Sequence, residues 1–228
     1  MNNSKNKIST DIKKLCGMAI FVALAVVATL ITKWLQVAHL TFDAKDAVIT
    51  IAAYVYGPIS AILMSFVTSI IETLAFGGDT GLYGFLMNFL STVTFSVAAS
   101  YVYGKRRNVN GAIIGLLIAS ALTTLVMLLL NIFITPLYLK MPLFDPVIMK
   151  MIPTLILPFN LAKSIMNSAI TMYLYKPVTV ALKSARLIEG SSKTTLSFNR
   201  NSAIILIAGM IGLIISAITF IILINLNS

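Results

Sequence analysis

Apolar runs of membrane-crossing length, separated by short polar breaks, dominate the chain from residue 15 to residue 224. A helix needs roughly 20 apolar residues to cross about 30 Å of hydrocarbon. The pattern predicts helices over residues 15–34, 47–56, 59–76, 82–103, 112–137, 151–175 and 203–224. The second is short for a full span, and Gly57 and Pro58 force a tight turn after it. In membrane proteins short or broken helices commonly line cavities. Pro153 and Pro158 predict an irregular or kinked start to the sixth helix, and Pro136 marks the outer end of the fifth. The fold class is therefore all-α, an integral membrane helical bundle with domains expected at 1–185 (a six-helix core), 186–200 (a basic linker) and 201–228 (an additional transmembrane helix).

Composition agrees. Hydrophobic residues make up 58% of the chain and mean hydropathy is +0.96, more apolar surface than a soluble fold of this size can bury. The apolar stretch to Trp34 is too long for a signal-peptide core, although Val26 and Ala28 resemble a cleavage site. Cys16 is alone, forms no internal disulfide, and reads as a packing residue.

A net charge of +10 raises the question of an anionic partner, but the positions of the charges point away from nucleic acid. Lys5, Lys7, Lys13 and Lys14, then Lys105, Arg106 and Arg107, then Lys176, Lys183, Arg186, Lys193 and Arg200 form basic clusters flanking the spans. By the positive-inside rule these segments face the cytoplasm, with the amino terminus inside and the carboxyl terminus outside. The other loops hold Lys33, Lys45, Lys140 and Lys150 against Asp43, Asp46, Glu72, Asp79 and Asp145, which reads as a near-neutral, solvated outer side.

Ionisable groups inside spans are expensive, on the order of 3 kcal/mol, and mark functional sites. Lys163 is the outstanding case. Asn160 and Asn167 share its helix face by spacing. Asn131, Asn88, Thr41 and Asp46 project to the same outer half of the bundle. Amides and an ammonium suit a planar, heteroatom-rich solute. The plainer readings are that the asparagines bond helices together, that Lys163 pairs with Glu72, and that Glu72 otherwise reaches water. His39 lies in a loop and reads as exposed. Neither a phosphate-binding loop nor a nucleophile or metal motif is evident, so the chain reads as a non-enzyme without a cofactor that cannot itself hydrolyse ATP. Ala19 and Ala23 form a small-residue pair that permits close helix approach, and Gly111 with Gly115 repeats it as internal packing.

The run FDAKDA at residues 42–47 leads to Tyr56, Gly57 and Pro58. Asp79, Thr80 and Gly81 lead to Met87, Asn88, Phe89 and Leu90, and Asn131 leads to Pro136. LPFNLAK at residues 157–163 and Leu174, Tyr175, Lys176 and Pro177 complete the pattern. Over residues 12–185 this resembles the substrate-binding S component of energy-coupling factor (ECF) vitamin transporters, of the riboflavin-binding type. The resemblance implies a six-helix binder in the bacterial cell membrane that captures riboflavin at the outer face. It would dock on a shared transmembrane coupling subunit driven by two ATPase subunits, and release would involve tipping of the whole component. It also implies that Asn131, Asn160 and Lys163 contact the isoalloxazine ring, that Thr41 and Asp46 lie near the ribityl chain, that Asn88, Thr80 and Gly81 belong to the binding region, and that Ala19 and Ala23 belong to the docking surface. The seventh helix departs from the family pattern. Another vitamin, a purine-like solute, or autonomous secondary transport remain the competing readings.

Overall fold

A computed structural model describes residues 2–33, 36–37, 40–76, 81–184 and 200–227. Helix α1 (Asn2–Thr32) leads into a minimal hairpin of β1 (Gln36–Val37) and β2 (Leu40–Thr41), antiparallel with Gln36 opposite Thr41. The hairpin falls where the sequence suggests only a polar loop. Helices α2 (Lys45–Tyr56), α3 (Pro58–Phe76), α4 (Gly81–Arg106) and α5 (Val109–Leu139) follow. The chain then forms a short α6 (Pro146–Met151), a π-helical turn (Ile152–Ile156), α7 (Leu157–Ser184) and α8 (Arg200–Asn227).

Among the described residues, five helical segments are long and apolar enough to cross a membrane: Asp11–Thr32, Pro58–Ala75, Gly81–Arg106, Asn110–Leu139 and Pro146–Ala181. The protein is a multi-pass, all-helical membrane bundle. Its lipid-facing character shows in the many half-exposed Leu, Ile and Phe side chains along α1, α3, α5 and α8. The expected linker at 186–200 lies outside the described residues except for Arg200.

The short α2 is the centre of the bundle. Its 12 residues touch α1, α3, α4 and α7, and eight of them, from Lys45 to Ala53, are buried. A helix enclosed on all sides has no lipid face to match to bilayer thickness, which accounts for its length. Met18, Phe21 and Ala25 of α1 and Ala61 and Met64 of α3 pack on Ile49, Ile51, Ala52 and Ala53 of α2. Gly57, at φ +91°, makes the turn from α2 into Pro58. On the opposite side α4 and α5 form a close antiparallel pair. A Cβ at Gly115 would stand 2.7 Å from the Ala99 carbonyl oxygen, so glycine is what permits the approach there. Cys16 is exposed and does not pack internally, contrary to expectation; its position on α1 turns it away from the α2 interface.

The predicted irregularity before α7 is present as a wide turn. The Leu157 amide donates to the Ile152 carbonyl, five residues back. Proline at 158 has no N–H to give and its ring crowds the carbonyl four residues earlier, so the chain widens there instead of continuing as a regular α-helix. This turn sets the direction in which Phe159, Asn160 and Lys163 emerge.

Candidate functional site

At the hairpin end of the bundle lies a cavity of about 190 Å³. Its polar wall comes from Thr41, Asp43, Glu72, Asn88, Asn131, Asn160 and Lys163. Its apolar and aromatic wall comes from Tyr83 and Met87 of α4, Met127 and Tyr138 of α5, and Phe159 of α7. Apolar walls with a few convergent polar groups are the usual form of a small-molecule site.

Beneath the cavity is a buried ionic network. Lys163 Nζ donates to Asp43 Oδ2 at 3.0 Å and stands 3.9 Å from Asp46 Oδ2. Lys45 Nζ donates to Glu72 Oε2 and lies 3.8 Å from Asp43 Oδ2. The Asn88 amide donates to Glu72 Oε1 at 3.2 Å, and the Thr92 hydroxyl donates to Asp46 Oδ1 at 2.6 Å. Burial alone would push the Asp43 carboxyl up, but Lys163 and Lys45 outweigh it and hold the group below the ordinary carboxylate range. Charges this deep persist only because each has a partner. The pairing differs from the sequence reading in two respects. Lys163 is joined to Asp43 and not to Glu72, whose carboxylate goes to Lys45. Asp43, Lys45 and Asp46 are not solvated loop charges but are at most 2% exposed, because Phe42 and Ala44 draw the loop into the core.

The structure gathers most of the sequence-selected residues and sorts them. Asn131 and Asn160 reach the cavity from two different helices, and each donates its side-chain N–H to the carbonyl four residues earlier. The Asn131 carbonyl oxygen accepts from the Thr135 hydroxyl at 2.8 Å. Lys163, Asn88 and Thr41 also line the cavity. Asp46 does not; it lies behind the wall, held by Thr92. Gly81 starts α4 at φ +47° and is outside the lining, where Gly84 takes its place. Thr80 lies outside the described residues, as do Trp34, His39 and Asp79. Asn167 is an internal tie. It accepts from the Ala47 amide and donates to the Asp43 and Lys163 carbonyls. Ala19 and Ala23 are exposed on α1.

Sequence reasoning missed Asp43, Lys45 and Glu72 as parts of the site, and Tyr83, Met87, Met127, Tyr138 and Phe159 as its wall. Charge balance narrows the search for the carboxylates, since a lysine within a span requires a nearby one and the whole chain has only seven acids, but it does not single out Asp43 or point to Lys45. The apolar wall carries no signal of its own, because a Met or Tyr facing a cavity looks in sequence like one facing lipid.

Together the fold and the cavity define a membrane-embedded helical bundle with a cavity of small-molecule size between its helices. Residues 13–175 match the family described as ECF transporter, substrate-specific component, and the chain belongs to that family. It is 30% identical over 189 residues, 80% of this chain and 99% of the relative, to "Riboflavin transporter RibU" of Staphylococcus aureus (strain TCH60). It is 28% identical over 138 residues, 58% of this chain and 73% of the relative, to "Riboflavin transporter FmnP" of Bacillus subtilis (strain 168). A solved structure of the S component of a bacterial ECF transporter superimposes with a TM-score of 0.64 at 29% identity, covering 76% of this chain and 99% of that one.

Proposed function

We propose that the protein captures riboflavin at the outer face of a bacterial cell membrane and delivers it through an ECF coupling subunit and two ATPase subunits. The observation that carries this reading is one cavity in which amides from two helices, Asn131 and Asn160, face an aromatic and methionine wall beside Lys163. A flavin has a flat apolar body and a polar edge, and this cavity offers a counterpart to each. An ammonium has three N–H donors, so the bond from Lys163 to Asp43 leaves capacity for a charge-assisted bond to a ring carbonyl. Thr41 lies in the same wall, at a place suited to the ribityl hydroxyls. The names of the two relatives support the choice of vitamin. In this reading the amino terminus is cytoplasmic, the carboxyl terminus extracellular, and Ala19 and Ala23 belong to the surface that docks on the coupling subunit.

Titration of riboflavin fluorescence with the purified full-length protein tests the proposal. Quenching that saturates, and that thiamin or biotin do not compete away, is the expected result. Saturable binding of a different vitamin in place of riboflavin would overturn the choice of ligand.

One observation favours a second reading. The buried carboxylates Asp43, Asp46 and Glu72 are the kind of groups an ion-coupled transporter uses, and they outnumber the two lysines beside them. Proteoliposomes containing only this chain separate the two. Riboflavin accumulation driven by a proton or sodium gradient would support secondary transport, whereas accumulation only with coupling subunits and ATP supports the ECF reading.

A further inference from the structure

The family match ends at residue 175, before α8 begins, yet α8 is built into the bundle. Gly209, Gly212, Ser216, Phe220 and Leu223 recur at intervals of three and four, one face of a helix. A Cβ at Gly209 would meet the Tyr173 ring at 2.9 Å, and one at Gly212 would touch Ile165 and Ala169, so the two helices lie close and run antiparallel. The opposite face, with Met210, Ile211, Ile214, Ile218 and Ile221 all more than half exposed, suits lipid.

That antiparallel course brings the end of α8 to the cavity. The Phe220 ring, 3% exposed, stands edge-to-face with Phe42 (5.5 Å between centroids) and with Phe159 (5.3 Å). Phe159 is cavity wall, and Phe42 sits between the two cavity residues Thr41 and Asp43. The loop turns Thr41 and Asp43 to the cavity while Phe42 faces the other way, and Phe220 is what receives it.

We propose that α8 is a built-in wall of the capture site and that Phe220 is a positioning residue, keying the loop at 40–44 onto α7 and so holding Thr41 and Asp43 against the ligand. The inference rests on the riboflavin reading for its ligand, but the seam itself is made by Phe42, Phe159 and Phe220 alone. A loop held in place by the protein leaves less order to be imposed on capture, and the affinity lost by loosening such a contact shows mostly in the dissociation rate. Phe220 therefore acts chiefly on the dissociation rate.

The test uses full-length protein and stopped-flow riboflavin fluorescence. Phe220→Ala, which removes two aromatic contacts, is expected to speed dissociation about tenfold with little change in association. Phe220→Leu keeps most of the bulk and should give a smaller effect. Ile221→Ala, on the lipid face, should give none. Phe42→Ala combined with Phe220→Ala should cost less than the sum of the two single changes, since they share one contact. In a Cys16→Ser background, maleimide labelling of Thr41→Cys should also be faster when Phe220 is alanine, a readout that needs no ligand. Failure of the wild type to bind riboflavin would defeat the functional reading and leave the labelling result to decide this one. Unchanged dissociation and unchanged labelling in both Phe220 variants would overturn the role of α8.

Discussion

Lys163 and Asp43 are 120 positions apart in the chain and meet through a 3.0 Å hydrogen bond between buried side chains. The bond joins α7 to the loop that enters α2, and both residues also face the cavity. One contact thus serves two purposes, closing the bundle at that end and presenting charge to whatever enters. Stability and binding are coupled through this pair, and separating them requires variants of both partners.

Lys163→Ala and Asp43→Ala should each destabilise the ligand-free protein by about 3 kcal/mol, because each takes the hydrogen-bonded partner from a buried charge and leaves only a more distant one, Lys45 for Asp43 and Asp46 for Lys163. The double variant should recover part of that loss, having removed both charges. Riboflavin affinity should not recover with it and should stay about 10- to 100-fold weak, the magnitude of a charged hydrogen bond. Thermal melts and fluorescence titrations on the three proteins provide the comparison. Recovery of affinity in the double variant would take Lys163 out of the ligand's reach.

The three asparagines should divide by role. Asn131→Ala and Asn160→Ala remove side chains whose N–H groups bond only within their own helices, so melting should shift little while affinity falls roughly tenfold each. Asn167→Ala removes bonds to the Ala47 amide and the Asp43 carbonyl, and should lower the melting temperature clearly. Its effect on affinity should follow only from loosening of the loop. Equal behaviour of all three would contradict the division.

The degree to which this site could be read in advance follows from what a sequence displays. Lys163 stands out because a charge in an apolar run is anomalous, and Asn160 is found by sharing its helix face. The shortness of α2 is visible because Gly57 and Pro58 end it. Asp43 and Lys45 have no such contrast; in a polar stretch between two helices a charge looks solvated, and only the tertiary fold draws that stretch inward. Phe220 is hidden for the opposite reason, since one aromatic in an apolar span resembles its lipid-facing neighbours.

Asp43 predicts a pH dependence with a definite sign. Its folded-state carboxyl lies below the ordinary value of 3.8, so the ionised form is favoured by folding. The stability this contributes is present above that value and is lost as pH falls through the lower folded value. For this group melting should be insensitive between about pH 7 and about pH 5 and should fall steeply under more acid conditions. Asp43→Asn should lack the acid-side decline while melting lower near neutrality. A wild-type decline that persists unchanged in Asp43→Asn would assign it to another carboxylate.

Ala19 and Ala23 allow delivery to be tested apart from capture. Both are exposed, one turn apart on α1, while Met18, Phe21 and Ala25 of the same helix are buried against the bundle. A larger side chain at either position therefore meets nothing inside this protein, and Ala19→Leu with Ala23→Leu should leave melting and riboflavin affinity within error of wild type. If this face receives the coupling subunit, added bulk prevents the close approach that alanine permits, and uptake into cells carrying the coupling and ATPase subunits should drop by about tenfold or more. Co-purification of those subunits should fall in parallel. The separation is what matters: binding retained while uptake is lost places the fault at docking. Full uptake by the double variant would move the docking surface off this face of α1.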